Sequence, residues 1–449
     1  MKVATLPASE RQVGAAARMR IGVVADDVTG ANDIGIMFAK WGMEVHVYPY
    51  SGPVSEEHLP TKEALPQVCI LDTNSRLDMP QEAYRKVYAA TRWLKSSGAR
   101  QYFNKTCSVF RGNIGAEFDG MLDALGLSFG VVVLGFPKNG RLTMRGVHYV
   151  HSVPLEESEF RYDPIHPMRS SNLVEILSSQ TKRMVSLLDQ DVVSMGAGYL
   201  RQQILEMKAR CSYLILDVTA QEALQTIAQA TWDEPVLCGS SALAEELPAV
   251  WCIPPEDPGA LDLYHPSRTG ILCTAGSLMP QTAAQIEYIC RKGIPSYILD
   301  TRAIFSEEER SAEVGRLQGE ISAALEGGLD VVLQSPHQPR AVAMTQEMGR
   351  EKGFSNTETG RLVSTTLADI TARVLERSGQ DRLIVAGGET SAAVCERLGI
   401  HGQRIWKEIQ PGLPSCLSLS GNRLLLVLKS GSFGSPDFLE QALEHLRKQ

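Results

Sequence analysis

Short, unbroken apolar runs alternate with amphipathic helical patterns along the whole chain, and this alternation constrains the fold more than any other feature. The candidate strands are Ile21–Ala25, Val45–Tyr48, Val68–Leu71, Val131–Gly135, Tyr213–Leu216 and Val236–Cys238, then Ile271–Thr274, Tyr297–Leu299, Val331–Gln334, Leu383–Ala386 and Leu424–Leu428. Between them apolar residues recur at helical spacing, as with Ile34, Met37, Phe38 and Trp41. Strands apolar on both faces and separated by helices predict an α/β fold with mostly parallel sheets covered on both sides. No apolar run approaches the roughly 18 residues of a membrane-spanning helix, so no membrane partner is expected.

The alternation breaks once, at Ile253–Arg268 (IPPEDPGALDLYHPSR), where four prolines mark a linker. Two domains are predicted, at residues 20–252 and 269–449, joined by 253–268. Residues 1–19 are an Ala/Arg-rich extension without strand period, read as disordered or as lying upstream of a true start at Met19. Ligands of open parallel sheets bind beyond the carboxyl ends of the strands. The active site is therefore expected in an interdomain cleft. With 44 Lys+Arg against 52 Asp+Glu the chain is acidic, which disfavours nucleic acid as a partner. Nine cysteines without a CxxC argue against a disulfide framework or zinc ribbon and for a reducing cytoplasm. His148 and His151 have no metal-ligand spacing and are read as loop residues.

Polar residues gather where strands end. The first strand runs into Asp26 and Asp27, followed by Gly30 and a helix expected from Asn32 or Asp33. Either acid can cap that helix, or hold a substrate hydroxyl and take its proton. Arg76 follows the third strand, and its guanidinium fork suits a small carboxylate. Lys105, Thr106, Ser108 and Arg111 stand beside a glycine turn in KTCSVFRGNIG and make a natural anion or polyol site. Cys107 lies among them without a nearby base and is read as a packed thiol. GFPKNGR at Gly135–Arg141 closes another strand with cations.

Three strand-to-glycine junctions mark the second domain: Ala275-Gly276-Ser277, Gly387-Gly388-Glu389-Thr390, and KSGSFG at Lys429–Gly434. The helices after the last two are expected from about Ser391 and from an N-cap at Ser435. Such turns gather backbone N–H groups and helix N-termini around phosphates, which points to a nucleotide site. No GxxxxGK[ST], strand-linked GxGxxG, GxSxG or HExxH occurs, which weakens P-loop, dehydrogenase, hydrolase and metalloprotease readings.

ADDVTGAND at Ala25–Asp33, KTCSVFRGNIG, GFPKNGR, GGETSAAV, PGLP at Pro411–Pro414 and KSGSFG, in that order, resemble the four-carbon acid sugar kinases. The resemblance runs from Arg20 to the C-terminus. It implies an acid sugar on the N-terminal domain and ATP on the C-terminal one. Carried over, Asp27, Arg76, Lys105, Thr106, Cys107, Ser108 and Arg111 are expected at the substrate. Ser277, Gly387, Gly388, Glu389, Thr390, Gly431 and Gly434 are expected at the nucleotide. Val28 stands where the family often has Phe, and Cys107 and Val109 depart from residues common in the threonate and erythronate branch, whereas RGNIGAE and ANDIGIMFAKWG resemble that branch.

The expected reaction is ATP- and Mg²⁺-dependent phosphorylation of the terminal hydroxyl of a four-carbon sugar acid, D-threonate or D-erythronate. The alternatives are 3-oxo-tetronate and 4-hydroxythreonine. Asp26 or Asp27 is the candidate base, Lys429 the candidate charge-neutralising cation and Glu389 a metal-side carboxylate; a metal ligand set is not assigned. Closure about the linker would exclude water, and a homodimer is expected from chain size alone. A nicotinamide-dependent oxidoreductase and a non-catalytic sugar-acid sensor remain as rival classes.

Overall fold

The computed structural model describes residues 19–61, 64–163, 166–254, 269–421 and 423–448. Apart from their ends at Met19 and at Ile253–Pro254, the expected extension and linker lie outside these residues.

The strands of the N-terminal half are β1 (Ile21–Ala25), β2 (Val45–Pro49), β3 (Val68–Asp72), β4 (Gln101–Lys105), β5 (Gly130–Val133), β6 (Arg141–Met144), β7 (Val147–Val150), β8 (Val153–Pro154), β9 (Val185–Leu188), β10 (Tyr213–Leu216) and β11 (Val236–Gly239). Those of the C-terminal half are β12 (Leu272–Ala275), β13 (Ser296–Ile298), β14 (Val331–Gln334), β15 (Arg382–Ala386), β16 (Gln403–Gln410), β17 (Leu413–Ser418) and β18 (Leu425–Lys429). The N-terminal sheet runs β2-β3-β1-β4-β11-β5-β10-β9 with parallel neighbours throughout, and β6, β7 and β8 form a separate antiparallel sheet. The C-terminal sheet runs β13-β14-β12-β15-β18 in parallel and ends in antiparallel β17 and β16. All eleven expected strands are present within a residue or two of the expected bounds.

The chain reverses its direction of strand addition between β1 and β4 in one half and between β12 and β15 in the other. Such switch points open a crevice at the strand ends. Asp26 and Lys105 border the first crevice; Gly276 and Gly387 border the second.

The halves are more tightly joined than two lobes on a linker. β16 pairs with β2 through Gln403–Val47 and Arg404–His46, so the two sheets are one fifteen-stranded sheet. Helix α1 (Val28–Ala39) is buried at all twelve positions because both halves pack on it. A helix covered all round needs apolar or partnered residues on every side. Ile34 and Phe38 share one core with Ile405 and Leu413. Asn32 Nδ2 donates to Gln403 Oε1 at 3.2 Å, and Lys40 Nζ bridges Glu245 at 2.6 Å and Glu408 at 3.2 Å.

Of the three helix starts expected from sequence, two fall too late and the last too early. α1 begins at Val28, capped by Asp27, and Gly30 lies inside it. The later helices begin at Gly388 and Phe438, so Ser435 is not the N-cap. His148 is a buried residue of β7, its Nδ1 3.1 Å from Thr143 Oγ1, and burial lowers its pKa to about 3.

Candidate functional site

The first crevice is a set of level strand ends. Ala25 stands in register with Asp72 and Lys105, and Lys105 with Gly239. Immediately beyond β1, both acids are buried, Asp26 at 2% and Asp27 at 6% exposure. Asp27 caps α1, its Oδ1 accepting the Gly30 N–H at 2.5 Å. Arg76 clasps Asp26 with Nε and Nη2, each at 2.8 Å, and gives Nη1 to Asp27. Burial pushes the Asp27 carboxyl up, but Arg76, Lys105 and the Gly30 N–H outweigh it and hold the pKa below the usual range. Asp27 is therefore an ionised group at a helix N-terminus, where the dipole favours a negative charge.

Lys105 is buried, its Nζ donating to the Thr106 carbonyl at 3.0 Å and standing 3.4 Å from Asp33 Oδ2. Asp33 also accepts from Ser241 Oγ at 2.7 Å, and burial raises its pKa to about 6 against those partners. Thr106 Oγ1 is buried without a partner among the described residues, and the Cys107 N–H donates to Asp26 Oδ2 at 3.3 Å. Cys107 and Ser108 are both buried. Arg111 reaches Asp163 Oδ2 at 2.5 Å, leaving its buried Nε unpaired among the described residues. The seven expected substrate residues thus fall around one crevice.

The second crevice has the same construction, with Ala275, Ala386 and Lys429 level in register. The three glycine turns touch one another. A Cβ on Gly387 would stand 3.2 Å from the Ser277 N–H nitrogen, one on Gly276 would run into Thr390 Oγ1, and one on Gly431 into Ser277 Oγ. Gly387 has φ +120°, a conformation that favours glycine. Gly434 closes the third turn, where Gln285 Nε2 donates to the carbonyls of Phe433, Gly434 and Ser435 at 3.0 Å each. Lys429 is placed under this turn. Its Nζ is buried and donates to Thr282 Oγ1 at 2.9 Å, the Ser430 carbonyl at 2.8 Å and the Gly431 carbonyl at 3.2 Å. These bonds occupy all three ammonium donors, so in this arrangement Lys429 supports the turn instead of presenting a free cation. Glu389 lies near Gly360 of the Asn356–Ser378 helix, and burial raises its pKa.

The two crevices meet. A Cβ on Gly388, in the first turn of the Gly388–Arg397 helix, would stand 2.7 Å from Asp27 Oδ2 and 3.6 Å from Thr29 Oγ1. Two helix N-termini from opposite halves therefore converge on one carboxylate. Asp33, Ser241 and Arg141 also lie at this junction and went unassigned from sequence; Asp33 and Arg141 were already visible as the last residues of ADDVTGAND and GFPKNGR. Nothing in the local sequence marks Ser241.

A family model described as a sugar-binding N-terminal domain matches residues 21–247, and one described as a nucleotide-binding C-terminal domain matches 272–439. A 3-oxo-tetronate kinase of Pseudomonas fluorescens is 33% identical over 444 residues, covering 96% of this chain and 97% of its own. One of Cupriavidus necator is 32% identical over 441 residues, covering 96% and 98%. Among crystal structures, a Salmonella typhimurium LT2 protein aligns with a TM-score of 0.77 at 29% identity, covering 94% of this chain and 98% of its own. The Haemophilus influenzae protein HI1011 aligns with a TM-score of 0.68 at 28% identity, covering 94% and 99%. With its sugar-binding and nucleotide-binding regions in this order and matched over nearly the full chain, the protein belongs to the four-carbon acid sugar kinase family.

Proposed function

We propose that the protein transfers the terminal phosphoryl group of ATP to the 4-hydroxyl of 3-oxo-tetronate. The relatives above, similar along almost their whole length, carry that activity in their names, which favours it over the D-threonate or D-erythronate expected from sequence. The observation that carries the transfer reading is the approach of Gly388 to Asp27 Oδ2, which sets a phosphate-type turn against a sugar-side carboxylate.

In this reading Arg111 and the free donors of Arg76 and Lys105 hold the acid's carboxylate, while Thr106 and Ser108 meet its hydroxyl and keto oxygens. Ser277, the Gly387–Thr390 turn and the Gly431–Gly434 turn hold the phosphates of ATP. Asp27 orients the 4-hydroxyl and accepts its proton as transfer proceeds, a step in which positioning and charge stabilisation dominate. Mg²⁺ bound with ATP would neutralise phosphate charge, and Glu389, in the first turn of the Gly388–Arg397 helix, is the carboxylate on the nucleotide side that would help hold it; no cluster of three His, Cys, Asp or Glu side chains forms among the described residues.

An ADP-release assay with Mg·ATP tests this against freshly prepared 3-oxo-tetronate, both threonates, both erythronates and 4-hydroxythreonine. The expected result is a kcat/KM for 3-oxo-tetronate at least about ten-fold above the others. Preferred turnover of D-threonate or D-erythronate would restore the earlier substrate, and silence on every acid would remove the kinase reading.

A further inference from the structure

Arg141 is 1% exposed and lies at the seam between the halves. Its Nη1 donates to the Asn139 carbonyl and stands 3.1 Å from His151 Nε2. Its Nε and Nη2 are buried with no partner among the described residues. The carboxyl groups of Glu159 and Asp33 act on it from a distance, and neither outweighs the burial that lowers its pKa. The guanidinium carbon instead sits 5.6 Å from the centre of the Phe433 ring, in the last glycine turn of the opposite half. Phe433 is fixed in turn by Phe136, 6.0 Å away at an interplanar angle of 81°.

Two unpaired cationic donors in a buried site are costly unless an anion completes them. A guanidinium offers parallel N–H groups suited to a phosphoryl oxygen pair. The ring beside Arg141 belongs to a nucleotide-side turn, and the sugar half already carries Arg76, Lys105 and Arg111 for a carboxylate. We propose that Arg141, supplied by the sugar-binding half, binds the terminal phosphoryl group of the nucleotide on the opposite half and stabilises it during transfer. The proposal rests on the kinase reading for its activity test but has an independent binding test.

That test compares ATP and ADP affinities, without a sugar acid, for the wild type, Arg141→Lys and Arg141→Gln. The wild type is expected to prefer ATP. Arg141→Gln should keep its ADP affinity and lose the preference, with Arg141→Lys in between. With an accepted sugar acid, kcat of Arg141→Gln should fall roughly 10²–10³-fold, with the acid's KM little changed, and added guanidinium should restore part of the rate to Arg141→Ala. An unchanged ATP-to-ADP ratio, or a defect confined to the acid's KM, would overturn the proposal. Loss of ADP binding in Arg141→Gln and Arg141→Lys alike would assign Arg141 to folding and overturn it too. Should the wild type turn over no acid, the kinase reading falls while the affinity ratio still decides Arg141.

Discussion

Gly388 and Asp27 come from opposite halves of the molecule, and a Cβ on the glycine would stand 2.7 Å from the aspartate Oδ2. The glycine lies in a helix at an ordinary negative φ, so alanine suits the backbone and improves helix propensity. The carboxylate cannot easily yield, because Arg76 and the Gly30 N–H hold it. Gly388→Ala should therefore cost about 1–3 kcal/mol of stability by overpacking, leave the protein folded, and lower turnover by about ten-fold or more through misplaced reacting groups. Turnover equal to wild type would show that this contact does not set the reaction geometry.

Asp27→Asn separates charge from capping. Asparagine caps helices as well as aspartate, and Asp26 keeps its two-pronged contact with Arg76. The fold should persist by circular dichroism while kcat drops by roughly two to four orders of magnitude, the range for losing a positioned acid–base group. A variant that folds and keeps near-normal kcat would remove Asp27 from proton transfer and leave it as a cap.

Asp33 gives a pH signature. Its pKa rises from 3.8 in the unfolded chain to about 6 in the folded one, because burial outweighs Lys105 and Ser241. Between those values the folded chain holds the extra proton. Its contribution to stability is fully present below the unfolded value and is lost as pH rises through about 6. Asp33→Asn is neutral throughout, so it should gain on the wild type by on the order of 3 kcal/mol between pH 4 and pH 7. Chemical denaturation at a series of pH values measures this, and parallel curves for the two proteins would refute it.

The halves should unfold together. A Cβ on Gly35 of α1 would stand 2.7 Å from Ile405 Cγ1 of β16. Gly35→Val should cost about 1–3 kcal/mol by overpacking this seam and shift a single calorimetric transition downward. Two resolved transitions in the wild type would mean that the halves are energetically separate.

The sequence made the layer order legible because most core strands are continuous apolar runs. β4 escaped notice because its residues, QYFNK, are mixed in polarity, yet it is a central strand buried at every position. Its polar residues are paid for locally, by Asn104 reaching the Glu117 carbonyl and Lys105 reaching Thr106 and Asp33. The start of α1 was placed late because Thr29 and Gly30 look like turn residues. Only the Asp27 carboxylate, turned back onto the Gly30 N–H, shows that they are helical. The crevice residues could be gathered from strand ends and motif resemblance. Their division into contacting and supporting roles could not, since Lys429 is expected to neutralise transferred charge and Arg141 reads only as one of the cations that close a strand. One proves to be saturated and the other left with unpaired donors. The β2–β16 pairing joins segments more than 350 residues apart and has no local signature.

That pairing also changes what the molecule shows to other chains. Two separate sheets would expose four unpaired strand borders, each with free N–H and C=O groups able to template aggregation. Joined through β2 and β16, the described residues leave only β13 and β9 at the two ends of the main sheet, and these strands are three and four residues long. The same hydrogen bonds that hold sugar-binding and nucleotide-binding halves in register thus hide two of the surfaces through which an α/β protein of this size most readily sticks to its own copies.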